Sequence, residues 1–250
     1  MGKHYKKRDK KSILTTLLSL IFILGIIISI IHIAKWYLDN KENKQIENKL
    51  ANTVTIIEQE NEDKEYNINF EELKAVNNET IGWLKVNGTD IEYAVVKTKN
   101  NSYYLNHNFE KKYNIAGWIF ADYKNNFDKT DKNIVIYGHN RKDGSMFGTL
   151  KNILKEEWYS NEENFVIDFI TEQEQAKYQV FSVYKIKNED YYINTEFKEN
   201  EFSSFIKTLK IRSIKDFEIE VTENDSILTL STCADNNKYR IVLHAKKIIN

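Results

Sequence analysis

The chain has 250 residues, 41% of them apolar and 13% aromatic, which suits one sizeable core and excludes a disordered polymer. Its formal net charge is −1, but residues 1–11 hold six Lys and Arg against Asp9 alone. No basic stripe with interleaved aromatics follows, which excludes nucleic acid as an expected partner, and a single cysteine excludes any internal disulfide.

The basic start, residues 1–12, reads as a cytoplasmic tail. Residues 13–33 carry no acid, Lys or Arg. As a helix they rise about 32 Å, enough to cross the hydrocarbon of a bilayer. The apolar region of a secretory signal is shorter, about 7–15 residues, and ends at a small-residue cleavage site. Residues 13–34 are therefore expected to be a transmembrane signal-anchor, with Trp36 and Tyr37 at the interface and everything after them outside the cell. A cleaved signal is the alternative.

Residues 35–66 are polar and charged, with Ile46, Leu50, Val54 and Ile57 spaced by 4, 4 and 3. That spacing predicts a helical stalk with a narrow apolar stripe. Asn69 is placed to cap a helix over residues 70–76. Within the remaining domain, 67–250, short strands are predicted at 81–86, 91–96, 116–120, 134–137, 165–169, 177–186, 227–230 and 240–246. Asn87-Gly88, Asp143-Gly144 and Asn-rich loops separate them. Helices are predicted at 147–154 and about 201–209. Many short strands with few helices point to an α+β chain built on a closed β-barrel.

Cys233 ends the run Thr229-Leu230-Ser231-Thr232-Cys233. An unpaired thiol on the outer side of a membrane is either a small buried hydrophobe or a nucleophile. A nucleophile needs a base or cation beside it and a donor for the oxyanion. Of five histidines, His4 and His32 fall in the tail and the membrane, His107 reads as structural, and His244, four residues after Arg240 on the same strand face, reads as structural or as a neighbour of the site. His139 follows the strand at 134–137 directly, after Gly138, which allows a tight strand exit. Arg240 lies seven residues beyond Cys233. Two antiparallel strands joined through residues 234–239 would return it beside the cysteine, with a fork of donors for a substrate carbonyl.

Together these residues resemble the sortase family, and most nearly its class B members. Four further features carry the class: the segment Asn101-Ser102-Tyr103-Tyr104-Leu105-Asn106-His107-Asn108-Phe109, helices before the barrel, a helix-bearing insertion at 187–226, and Asp235 between Cys233 and Arg240. The resemblance implies a membrane-anchored cysteine transpeptidase of a Gram-positive cell surface. Cys233 would cleave a C-terminal sorting signal after Thr through a thioacyl-enzyme, and a peptidoglycan amino group would resolve it. His139 would serve as general acid and base and Arg240 would hold substrate and oxyanion. Asn101, Leu105, Ser231, Tyr192 and Ile193 would line the signal-peptide groove, and Asp235 would orient His139 or Arg240 or stay solvated. The resemblance calls for no metal or other cofactor. Two other readings are an extracellular cysteine peptidase that only hydrolyses and a membrane-anchored binding domain without chemistry.

Overall fold

The computed structural model describes residues 10–58, 64–127, 131–187, 189–234 and 238–248. Helix α1 (Lys10–Ala51) is continuous over 42 residues, and the chain divides into two compact units at Glu42 and Asn43. In the first unit the apolar stretch is helical with its side chains exposed, and the helix is long and apolar enough to cross a membrane.

The helix predicted over 35–66 stops at Ala51. Strands β1 (Val54–Glu58) and β2 (Lys64–Ile68) instead pair antiparallel, with Val54 opposite Ile68. Ile46 and Leu50 do form a stripe and are buried in the core of the second unit. Val54, Thr55, Ile56 and Ile57 are four consecutive β-branched residues, and their preference for extended backbone outweighs the helical spacing of Val54 and Ile57. Helix α2 (Phe70–Val76) starts as expected, with the Asn69 side chain accepting from the Glu72 amide at 3.0 Å.

Eight strands close the barrel: β3 (Thr80–Val86), β4 (Glu92–Val96), β5 (Phe120–Ala121), β6 (Asn133–Gly138), β7 (Val166–Ile170), β8 (Gln175–Lys187), β9 (Ile227–Ala234) and β10 (Tyr239–Lys247). Around the barrel they run β10-β8-β7-β3-β4-β5-β6-β9 and back to β10, parallel at β4–β5 and β6–β9 and antiparallel elsewhere. Of the strand predicted at 116–120 only Phe120 lies in a strand, β5, because the amides of Gly117 and Trp118 bond the Asn114 and Tyr104 carbonyls of the preceding loop. The helix predicted at 147–154 begins only at Leu150, as a short 3-10 turn. The Phe147 amide, at the expected start, is held instead by the His139 carbonyl at 3.0 Å. Helix α3 (Glu156–Tyr159) follows.

Alternation along β10 sorts residues into two cores. Ile241, Leu243 and Ala245 join the main core with Leu84, Ile136, Val180 and Leu230. Val242 points the other way, into a second cluster with Phe181, Tyr184 and Ile227. Helix α4 (Glu201–Arg212), in the insertion between β8 and β9, covers that second cluster with Phe202, Phe205, Ile206 and Leu209. Beyond the cover of α4, the same outer face continues to the ends of β6, β9 and β10.

Candidate active site

The ends of β6, β9 and β10 meet two loops, 101–105 and 189–193, around a groove of about 580 Å³. His139, Arg240, Asn101, Leu105, Ser231, Tyr192 and Ile193 all line it. The backbone of Cys233 sits on β9, directly across from Arg240 on β10. Asp235 lies outside the described residues.

His139 is fixed from both sides. Its carbonyl accepts from the Arg141 and Phe147 amides at 3.1 and 3.0 Å. Its ring nitrogen Nε2 lies 2.6 Å from the Leu105 carbonyl. A carbonyl oxygen only accepts, so Nε2 is the donor and carries a proton, leaving Nδ1 for exchange. Gly138 before it does not adopt a left-handed turn. The glycine is required for space: a Cβ there would stand 2.5 Å from Ile119 Cδ1 and 2.7 Å from Phe147 Cγ. The Thr232 hydroxyl ties the two parallel strands together by donating to the Gly138 carbonyl at 2.6 Å.

Leu105 ends a 3-10 turn, Tyr103–Leu105. The turn begins on Asn100, whose side chain accepts from the Ser102 and Tyr103 amides, each at 2.9 Å. Gly117 makes its close approach possible. With φ +61°, an added Cβ would meet the Tyr104 and Leu105 carbonyls at 2.5 and 2.9 Å and the His139 ring at 3.0 Å. His107, read as structural, donates from Nδ1 to the Tyr103 carbonyl at 2.8 Å and stacks on the Tyr103 ring.

Sequence reasoning missed the buried carboxylate that orients the groove floor. Asp122 Oδ2 accepts from Asn101 Nδ2 at 2.9 Å and from the Tyr137 hydroxyl at 2.7 Å. Burial and the Asp122 charge push the Tyr137 hydroxyl far above its ordinary range, so it stays a donor. Asn101 Oδ1 in turn accepts from the Tyr123 amide at 2.9 Å. Asp122 stands in a loop 21 residues after Asn101, and no spacing in the sequence connects the two.

The far wall is less exposed. Tyr192 is buried and its hydroxyl bonds Ser231 Oγ at 2.9 Å, so the two groove positions are packed against each other. Leu105 is 43% exposed and presents apolar surface to the groove. Arg240 lies at the same end, its Nη1 donating to the Tyr239 carbonyl at 3.1 Å. Among the described residues, no three His, Cys, Asp or Glu side chains are grouped to hold a metal ion.

A family model described as the sortase domain matches residues 84–248. Sortase B of Staphylococcus aureus is 32% identical over 237 residues, 93% of this chain and 96% of that protein. Sortase B of Clostridium perfringens superposes with a TM-score of 0.68 at 35% identity, covering 72% of this chain and all of the other. A Staphylococcus aureus sortase B–substrate complex superposes at 0.67 with 36% identity, covering 72% and 84% of the two chains. With a closed eight-stranded barrel that matches theirs, the chain belongs to the sortase family, in its class B branch.

Proposed function

We propose that the chain is a membrane-anchored cysteine transpeptidase acting on sorting signals at the cell surface. The Cys233 thiolate attacks the carbonyl carbon of a Thr in the signal peptide. The bond from that carbon to the following nitrogen breaks, and the departing amine takes a proton from His139. This leaves a thioester on Cys233. A peptidoglycan amino group then loses a proton to His139 and attacks the thioester carbon, and the sulfur leaves as thiolate. Arg240 donates hydrogen bonds to the oxygen that becomes negative in each tetrahedral intermediate. Asn101, Leu105, Ser231, Tyr192 and Ile193 bind the signal peptide.

The observation that carries this reading is the meeting of His139 and Arg240 in one groove, with Cys233 opposite Arg240 in the strand register. Directly opposed residues of an antiparallel pair share a face of the sheet. Leu105 and Ile193 give the groove an apolar side suited to a peptide, and a related sortase B has been solved with a substrate.

Residues 13–34 supply the anchor, residues 1–12 stay in the cytoplasm, and the domain from 67 onward works outside. The test is cleavage of fluorogenic pentapeptides with a fixed Thr before the scissile bond. Cys233→Ala is expected to abolish cleavage, and Arg240→Ala and His139→Ala to reduce it by about a thousandfold. Full turnover by the Cys233→Ala protein would overturn the reading.

A further inference from the structure

Next to the groove, on the same face of the sheet, polar side chains thread through apolar packing. Thr229 is paired with His244, Ser231 with Val242 and Cys233 with Arg240, so thread and groove are successive two-residue steps of one face. Phe181, Phe205, Ile206 and Val242 make the surrounding cluster apolar. Asn133, Thr229 and His244 are each 0% exposed. Polar groups buried this deeply are costly unless every one is paired, and a fully paired set specifies a single arrangement.

The direction of each bond follows by elimination. Asn133 Nδ2 lies 2.8 Å from the Asn194 carbonyl and 3.3 Å from that of Tyr192. Carbonyls only accept, so the amide nitrogen faces them and Oδ1 faces Thr229. The Thr229 hydroxyl gives its one proton to that oxygen at 2.6 Å, and so accepts from His244 Nδ1 at 2.8 Å. Burial holds the His244 ring neutral, which leaves Nε2 to accept from the Tyr184 hydroxyl at 2.9 Å. The Tyr184 oxygen accepts in turn from Tyr191 at 3.1 Å. The thread therefore starts at Tyr191 and ends on the carbonyls of Tyr192 and Asn194. Both ends grip one segment, the turn Tyr191–Ile193 with its capping residue Asn194, and Tyr192 and Ile193 of that turn form the far wall of the groove.

We propose that Asn133, Thr229 and His244 are positioning residues that set the place of the Tyr192–Ile193 wall, and through it the affinity for the signal peptide, without touching substrate. This rests on the transpeptidase reading of the groove. An apolar set of similar volume would fill the same space, but it would not dictate where the turn sits.

The test is kcat and KM of the full chain on the best-cleaved fluorogenic pentapeptide. Thr229→Val keeps the shape and removes the hydroxyl, and is expected to raise KM about fivefold or more with kcat within about twofold. Thr229→Ser restores the hydroxyl and is expected to return KM to within about twofold of the native value. Tyr191→Phe removes the first donor from a half-buried residue and is expected to raise KM in the same direction. A native KM in a folded Thr229→Val protein, equal defects in the Ser and Val variants, or a loss confined to kcat would each overturn the proposal. If Thr229→Val does not fold, Tyr191→Phe decides, and a native KM there overturns it. Cys233→Ala in the same assay separates the two levels: cleavage by that protein removes the transpeptidase reading. An inactive Cys233→Ala beside a native KM for Thr229→Val removes only the positioning thread.

Discussion

His139 donates through Nε2 to the Leu105 carbonyl over 2.6 Å, so one loop of the groove sets which nitrogen of the ring is left to exchange a proton. The neutral ring is expected to be the Nε2–H tautomer. Nitrogen chemical shifts of the histidine-labelled chain check this. An Nδ1–H ring would mean that the Leu105 contact does not hold the histidine.

Asp122 gathers Asn101 and Tyr137 on one oxygen and accepts from the Lys124 amide at 2.9 Å on the other. In Asp122→Asn, either orientation of the amide sets an NH2 group against a donor. Hydrogen bonds to a charged group contribute about 1.5–3 kcal/mol each. KM for the signal peptide is expected to rise about tenfold, equivalent to about 1.4 kcal/mol, with a smaller change in kcat. Steady-state kinetics on the pentapeptide would show it.

Gly117 has the positive φ and the crowded surroundings that together forbid a side chain. Gly117→Ala is expected to cost about 1–3 kcal/mol of stability and to displace the Leu105 carbonyl from His139. The outcome is a lower melting temperature by circular dichroism together with reduced kcat. A native Tm and native kcat would show that the loop has room to spare.

His244 links acidity to stability. Burial pushes it from 6.5 to about 3, so the unfolded chain binds a proton below 6.5 that the folded chain refuses. The stability it allows is fully present above pH 6.5 and is lost as pH falls from there toward 3, by up to about 1.4 kcal/mol per pH unit. Urea titrations between pH 7 and 4.5 should show this slope, and His244→Gln should reduce it by that amount.

Much of the barrel was legible in the sequence because its strands are short apolar, β-branched runs set off by turn residues, as at Asn87-Gly88 between β3 and β4. The β1–β2 hairpin was not, since Val54 and Ile57 satisfy a helical period and an extended run at once. The meeting of His139 and Arg240 in one groove, and the register of Cys233 opposite Arg240, were legible from strand ends and the hairpin spacing of seven; their catalytic roles rest on the proposed function. Asp122 and the Asn133–Thr229–His244 thread were not. Each is an ordinary polar residue whose meaning depends on partners far away in sequence, such as Thr229, 96 residues from Asn133. His244 has 0% exposure and two bonded ring nitrogens, which its place in an apolar strand four residues after Arg240 does not reveal.

Intact-mass spectrometry of the full chain, mixed with the best-cleaved pentapeptide and then with an amine, shows whether Cys233 carries the acyl group between donor and acceptor. An acyl adduct on Cys233 is expected, lost in Cys233→Ala, that gives way to a ligated peptide–amine product. Cleavage with no adduct on Cys233, or an adduct that yields only hydrolysed peptide at saturating amine, would contradict it.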